Sequence, residues 1–225
     1  MPDVAAGYSA TVTIDVDQVR TELIEFGPLS IQYDSRVLQP RRWTTAQSAW
    51  ASALLRTAPA GPVLELCAGV GHIGLLAMVG QERPLVLVDS SEVACEHAAA
   101  NVERAGLAGP IDIRCGSMDE VVADEERFAV IIADPPWVRS GDTVDHADDP
   151  VHAIDGGADG LDLVRTCLKL IGEHLADQGA AVLQLGGLDQ VAAVSDHLTD
   201  HPDLALRLAE HRAYEERGVL VLLVR

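Results

Sequence analysis

An α/β fold, a doubly wound and mostly parallel sheet of seven strands, is predicted by three features of this 225-residue sequence. Short apolar runs alternate with stretches of helical period from residue 63 onward. The run FAVIIA over residues 128–133 is apolar throughout, as a strand covered on both faces has to be. The first run of the series opens into a glycine-rich turn at residues 69–74. Strands alternating with helices close right-handed crossovers, which builds a parallel sheet with helices on both sides.

Ahead of that alternation, residues 9–38 read as short strands broken by a turn at Gly27-Pro28, with residues 29–33 alternating apolar and polar. A helix is expected from about Thr44 to Arg56, and Pro59 to Pro62 end that layer. Residues 63–66 form the first strand of the series, followed by the glycine turn and a helical segment over 72–79. The second strand covers 85–88. The helix after it runs from Ser91 to Ala105, with Ser90 or Ser91 as its cap and Gly106 as its stop. Residues 111–114 form the third strand and 128–133 the fourth. Leu161, Val164, Leu168, Ile171 and Leu175 recur at steps of three and four, which is one helix face. The fifth strand covers 180–185. After another helix, 204–209 and 218–224 supply the sixth and seventh.

The composition is that of a globular protein, with a formal net charge of -19. Such acidity opposes the phosphate attraction that drives most nucleic-acid binding, and the only tight basic pair is Arg41-Arg42, so nucleic acid is not an expected partner. Cys67, Cys95, Cys115 and Cys167 form no Cys-x-x-Cys pair, and read as small buried residues of a reducing compartment. Residues 1–10 lack the basic start and apolar core of a signal peptide, and no apolar run reaches the length of a membrane span. The expected location is the cytoplasm.

In open α/β sheets ligands bind beyond the carboxyl ends of the strands. After the first strand comes Glu65-Leu-Cys67-Ala68-Gly69-Val-Gly71-His-Ile-Gly74, and Asp89 stands at the end of the second. The glycines spell G-x-G-x-x-G, which by itself also fits a dinucleotide site. Two features favour S-adenosyl-L-methionine. Glu65 puts a carboxylate where it suits a cationic ammonium and sulfonium ligand and would sit poorly beside a pyrophosphate. The fourth strand then runs into Asp134-Pro135-Pro136-Trp137, an element a dinucleotide site does not need. The expected cofactor residues are Glu65, Cys67, Ala68, Gly69, Gly71, Asp89, Ser90, Ser117, Met118 and Asp134. Asp89 takes the ribose hydroxyls, and Ser117 and Met118 lie where the adenine belongs, Met118 serving equally as core filler. His72 reads as a helix-start residue that could touch the cofactor.

The turn at residues 134–137 carries the chemistry. Two prolines stiffen it and free carbonyls from ladder pairing. The Asp134 carboxylate and the Pro135 carbonyl can accept both hydrogens of a planar NH₂ group, and Trp137 offers a flat face for stacking. Asp134, Pro135, Pro136 and Trp137 are therefore the expected catalytic residues. Methyl transfer is an in-line displacement in which positioning and desolvation do most of the work. Residues 142–162 hold seven aspartates with His146 and His152. Their spacing matches no standard metal loop, no metal is expected, and the segment reads as a solvated, mobile loop.

The order Glu65-to-Gly74, Asp89, Asp134-Pro-Pro-Trp137 and then Ala153-Ile-Asp-Gly156-Gly157-Ala-Asp-Gly160-Leu161-Asp resembles the release-factor glutamine methyltransferases and their relatives with a small methyltransferase domain, within the class I S-adenosylmethionine-dependent methyltransferases. In that family Asn-Pro-Pro-Tyr precedes an Ala-x-x-Gly-Gly-x-Asp-Gly-Leu segment, and residues 37–41 are similar to the stretch before its first helix. The likeness covers roughly residues 25–190. It implies a Rossmann-like sheet whose last strand is antiparallel, and enzymatic methyl transfer, EC class 2.1.1. Here Asp replaces the family's Asn at 134, Trp replaces Tyr at 137, and Ser117 stands where the family often has an acid.

The resulting expectation is N-methylation of a planar amide or amino nitrogen, on a protein glutamine-type side chain or a small-molecule amine. A nucleobase acceptor is the alternative, since Asp-Pro-Pro-Trp also occurs in adenine-N6 methyltransferases. A nicotinamide-linked oxidoreductase is the competing class, and no Tyr-x-x-x-Lys supports it. Residues 1–43 are expected to be a strand-rich cover over the acceptor pocket, with residues 44–225 as the methyltransferase domain.

Overall fold

A computed structural model describes residues 19–214 and 217–225. The strand expected over residues 9–18, and residues 1–10 as a whole, lie outside them. In chain order the elements are β1 (Glu22–Phe26), β2 (Leu29–Tyr33), α1 (Thr45–Leu54), β3 (Val63–Leu66), α2 (His72–Ala77), β4 (Leu85–Asp89), α3 (Glu92–Ala105), β5 (Ile111–Cys115), α4 (Met118–Val121), β6 (Phe128–Ala133), α5 (Val151–Ile154), α6 (Asp162–His174), β7 (Leu175–Leu185), α7 (Leu188–Asp200), β8 (Arg207–Tyr214) and β9 (Gly218–Val224). Single turns of 3-10 helix precede α1 and follow α7, and a longer one spans Ser140–His146.

Seven strands form one sheet in the order β5-β4-β3-β6-β7-β9-β8. β5, β4, β3, β6 and β7 pair in parallel, while β9, the last strand of the chain, lies antiparallel between β7 and β8. This is the predicted architecture. Its order reverses direction at β3/β6, and in open α/β sheets ligands bind beyond the carboxyl ends at such a point.

Side chains alternating along each strand give the sheet two apolar faces. Leu64, Leu66, Ile131 and Leu183 face α6 and α7, which return Val164, Leu168, Ile171, Val194 and Leu198. Val63, Leu87, Val130 and Ile132 face the other way, toward Ala51, Leu75 and Ala98 of α1, α2 and α3. β1 and β2 form a separate antiparallel hairpin. Its alternate residues Phe26, Ile31 and Tyr33 enter this second core, so the described part of the N-terminal segment packs on the domain.

Local chemistry sets the boundaries. Ser91 caps α3, its Oγ accepting from the Ala94 N–H at 3.3 Å, and Gly106 ends the helix at φ +56°. β7 begins at Leu175, earlier than the sequence suggests. Leu175 pairs Phe128, pairing then shifts to Val130 with Ala180, and the polar residues between them bulge out. The sixth strand corrects the expectation over 204–209. Residues Pro202–Leu204 make a 3-10 turn, Ala205 turns left-handed at φ +51°, and β8 starts only at Arg207. As the sheet's edge β8 is largely exposed, which permits its polar Glu210-His211-Arg212 run. α2 also stops two residues short of the expected 79. Cys115 is exposed rather than buried, because β5 is the opposite edge strand, whereas Cys95 and Cys167 are buried as expected.

Candidate active site

Two turns leave adjacent strands of the crevice. After β3 the backbone takes positive φ at Cys67 (55°), Gly69 (52°) and Gly71 (79°). A non-glycine in that region is a strained residue, and such residues gather at functional sites. The turn is tied down by its own strand ends. The Ala68 N–H donates to the Val88 carbonyl at 3.0 Å, and the Gly71 N–H to the Ala68 carbonyl at 2.8 Å. Asp89 accepts from the Gly69 N–H at 2.7 Å with one oxygen and from the Ser91 N–H at 2.9 Å with the other. Glu65, buried, accepts from the Gly74 N–H at 3.0 Å. A Cβ at position 74 would fall on that carboxylate, so the third glycine lets α2 approach β3. A Cβ at Gly69, by contrast, would meet nothing within 4 Å.

The second turn follows β6. Asp134 is half-buried and makes no hydrogen bond among the described residues, and burial pushes its carboxyl up to about 7. Just before it, the Ala133 carbonyl accepts from Gln47 Nε2 at 2.9 Å, an amide that also donates to the Val182 carbonyl at 3.2 Å. Gln47 is fully buried, and its Oε1 has no partner.

Residues 154–160 grip the turn from behind. The Val138 N–H donates to the Ile154 carbonyl at 3.0 Å, the Gly156 N–H to the Val138 carbonyl at 2.8 Å, and the Ser140 N–H to the Gly157 carbonyl at 2.9 Å. A Cβ on Gly156 would lie 2.7 Å from the Pro136 carbonyl oxygen, and one on Gly160 would strike that of Trp137. The Gly-Gly-x-Asp-Gly-Leu segment is thus a cradle for Asp-Pro-Pro-Trp. The reading of residues 142–162 as a solvated loop holds for 142–152, most of which are exposed, and is corrected for 154–160, which fold against the turn. Several aspartates of this stretch have partners: Asp149 pairs with Arg41, Asp159 with Arg165, and Asp155 bonds the Ser140 hydroxyl and the Gly157 N–H. Among the described residues no group of three or more His, Cys, Asp or Glu could hold a metal.

The two turns share one electrostatic site because Leu66 and Ala133 are register partners. Burial raises the Glu65 carboxyl well above the usual carboxylate range. The Gly74 bond opposes this, and the charges of Asp134 and Asp89 add to it. The Cys67 thiol is likewise raised, by its hydrogen bond to Cys167, by burial and by the same two aspartates. Among the described residues no basic side chain contributes to these shifts, so the carboxyls of Glu65, Asp89 and Asp134 influence one another without a counter-charge there.

The third turn docks alongside, its Gly116 N–H donating to the Asp89 carbonyl at 2.9 Å. Met118 is buried with its sulfur 4.0 Å from Cys167 Sγ, inside the core. Ser117 is exposed and bonds Asp119, and Ser90 is exposed beside Asp89. His72 starts α2 with its ring edge-on to Phe26 at 4.9 Å, and burial lowers it to about 3, so it is neutral. The hairpin lies on this side of the site. Asn101 of α3 accepts from the Gln32 N–H at 2.6 Å and donates to the carbonyls of Gln32 and Val70, both at 3.0 Å.

Four buried amides were not anticipated: Gln47, Asn101 and Gln190 on helices and Gln184 on β7. Each is a polar residue on a largely buried face, where an amide is costly without hydrogen-bond partners, and that is the signal the sequence offered.

The family model described as methyltransferase small domain matches residues 45–153. A ribosomal protein uL3 glutamine methyltransferase of Bradyrhizobium diazoefficiens is 35% identical over 129 residues, 55% of this chain and 40% of that protein. A release factor glutamine methyltransferase of Geobacter sulfurreducens is 32% identical over 168 residues, 72% of this chain and 57% of that one. The chain thus spans about half the length of these curated relatives. Among solved structures, a ribosomal protein L11 methylase from Lactobacillus delbrueckii superposes with a TM-score of 0.61 at 14% identity, over 84% of this chain and 81% of that one, which is a likeness of fold.

Proposed function

From the premise that residues 45–153 form a methyltransferase small domain, we propose that the protein is an S-adenosyl-L-methionine-dependent N-methyltransferase whose acceptor is the side-chain amide of a protein glutamine. One observation carries the acceptor half of this reading. Asp134 is a half-buried carboxyl without a hydrogen-bond partner, at the start of a turn whose next two residues are prolines and donate nothing.

The residues fit the cofactor. Gly69 leaves open space where a Cβ would stand, so a ligand can lie against the turn. Among the described residues the carboxyls of Glu65, Asp89 and Asp134 influence one another without a counter-charge, which suits a ligand bearing a sulfonium and an ammonium. Asp89, anchored by two backbone N–H groups, holds the ribose hydroxyls. Cys67, Ala68, Gly69 and Gly71 form the floor, Glu65 sets the charge beneath it, and Ser90, Ser117 and Met118 border the adenine. When bound, S-adenosyl-L-methionine supplies a methyl group on a cationic sulfur, open to displacement by a nitrogen lone pair.

The chain's own residues prepare that nitrogen. The Asp134 carboxylate and the Pro135 carbonyl accept the two amide hydrogens and fix the NH₂ plane. Pro136 keeps the turn rigid, and the Trp137 ring supports the flat amide. Held near 7 by burial, Asp134 can receive the proton that leaves after transfer. Residues 1–43 act as a cover, and their hairpin rests beside the glycine turn and α3. The named activities of the relatives, on ribosomal protein uL3 and on release factors, support a protein acceptor. Among the described residues no helix is long and apolar enough to cross a membrane, in keeping with a cytoplasmic site of action.

The test is incubation with methyl-labelled cofactor and three acceptor arms: ribosomal protein uL3, release factors and small primary amines. Mass spectrometry should place the methyl on a side-chain amide nitrogen. A methyl on oxygen or carbon, or tight NAD binding in place of S-adenosyl-L-methionine, sinks the reading.

A further inference from the structure

Gln190 stands in the first turn of α7, buried, with both ends of its amide engaged. Its Oε1 accepts from the Gly186 N–H at 2.6 Å. Its Nε2 donates to the Trp137 carbonyl at 2.9 Å and points also at the carbonyls of Asp159 (3.3 Å) and Gly160 (3.4 Å). One side chain therefore joins the turn after β7, the turn after β6 and the cradle behind it. These three segments are distant in sequence and share no sheet pairing at this point.

Glycines allow the junction to be so tight. A Cβ at Gly160 would strike both Gln190 Nε2 and the Trp137 carbonyl oxygen. A Cβ at Gly186 would lie 2.5 Å from Trp137 Cε3 and 3.0 Å from Gln190 Oε1. The Trp137 ring is thus stacked against the Gly186 backbone while its own carbonyl is tied to Gln190, and Gln190 holds that same Gly186. The indole and the Gln190 amide share Gly186 as a common contact. A buried amide with four neighbours of this kind cannot be replaced by an apolar side chain without orphaning a donor and three acceptors.

We propose that Gln190 is the positioning residue of the acceptor site, setting the place of the Trp137 ring and thereby the affinity for the amide. This rests on the reading of Trp137 as the acceptor's platform. Gln190 itself touches neither reactant.

The probe is N-acetyl-glutamine-methylamide, titrated in the presence of S-adenosylhomocysteine and followed by NMR at the Gly186 amide, with the Trp137 indole N–H as a second reporter. Gln190→Met should shift the Trp137 indole resonance while leaving those of Trp43 and Trp50 in place. It should weaken the probe about five-fold or more, with S-adenosylhomocysteine affinity within two-fold of the parent. Gln190→Glu keeps the acceptor for Gly186 and loses the donor. Its Trp137 resonance should return toward the parent position as falling pH protonates the new carboxyl, a response that a merely structural role would not give. Trp137→Ala separates the two ideas. If it leaves probe binding unchanged, the platform reading fails. If it weakens the probe while Gln190→Met moves neither the indole resonance nor probe affinity, the assignment of Gln190 is overturned.

Discussion

The turn after β3 and the turn after β6 leave neighbouring strands of one sheet, yet they are built in opposite ways. The glycine turn spends its carboxylates on itself: Asp89 on the N–H groups of Gly69 and Ser91, and Glu65 on that of Gly74. The turn after β6 leaves the Asp134 side chain with no hydrogen bond among the described residues and is held from outside by Gln47, Gln190 and the cradle over residues 154–160. The first turn is complete before any ligand arrives. The second keeps one carboxyl without a partner, at a desolvation cost that an incoming donor or protonation relieves. On the proposed assignment, a preformed cofactor turn stands beside an acceptor turn whose Asp134 gains most when a donor binds.

The sharpest way to break this contrast is Asp134→Ala. It should lower turnover at saturating acceptor by about two orders of magnitude, since the lost contact orients the nitrogen in the transition state. Cofactor affinity measured by calorimetry should hardly change. A parallel fall in both would mean that the two turns are not separable. Asp89→Ala should do the reverse, weakening the cofactor by about 1–3 kcal/mol through lost charge-assisted bonds. Turnover at saturating cofactor should fall much less.

Gly74→Ala probes the self-contained side. With a methyl placed on the Glu65 carboxylate, unfolding in denaturant should show a loss of about 1–3 kcal/mol, as overpacked sites do. Unchanged stability would show that Glu65 can move aside.

The smallest effect is the most diagnostic. Asp134 has a folded value raised to about 7 from an ordinary carboxyl value near 4, so between those limits the folded state holds a proton that the unfolded chain has lost. Stability without ligands should therefore fall as pH rises from about 4 to about 7 and level off above it. Asp134→Asn should remove that fall, gaining about 1–3 kcal/mol at pH 8 and little at pH 4. Activity should run the other way in the parent, declining as pH drops through about 7 because the protonated group brings a donor to face the amide's own hydrogens. The Asn variant should lack that limb. A parent profile flat across this range would show that Asp134 is not the acceptor of those hydrogens.

The same contrast explains what was legible in the sequence. Strands β6 and β9 match the predicted apolar runs residue for residue, since a covered strand advertises itself along its whole length. The glycine turn was legible because its partners lie close in the chain or at the next strand end, and its chemistry is written in residue type. The turn after β6 was legible as Asp-Pro-Pro-Trp, but its support was not. Gln47 reaches Ala133 and Val182, and Gln190 reaches Trp137, across separations that no local period records. β8 was displaced for a related reason, because an edge strand needs one apolar face only and its polar run hides it.

Two glycines of the first turn are required by different judges. At position 74 a side chain is refused by the fold, whose own carboxylate occupies the space. At position 69 the neighbourhood is empty, and the left-handed backbone alone charges roughly 1–2 kcal/mol for a larger residue. A library of variants sorted for folded yield would therefore discard changes at 74 and pass many at 69. The same library sorted for growth on the protein's activity would discard both. The residues lost only in the second sort trace the outline of the ligand, and they do so before anyone has identified it.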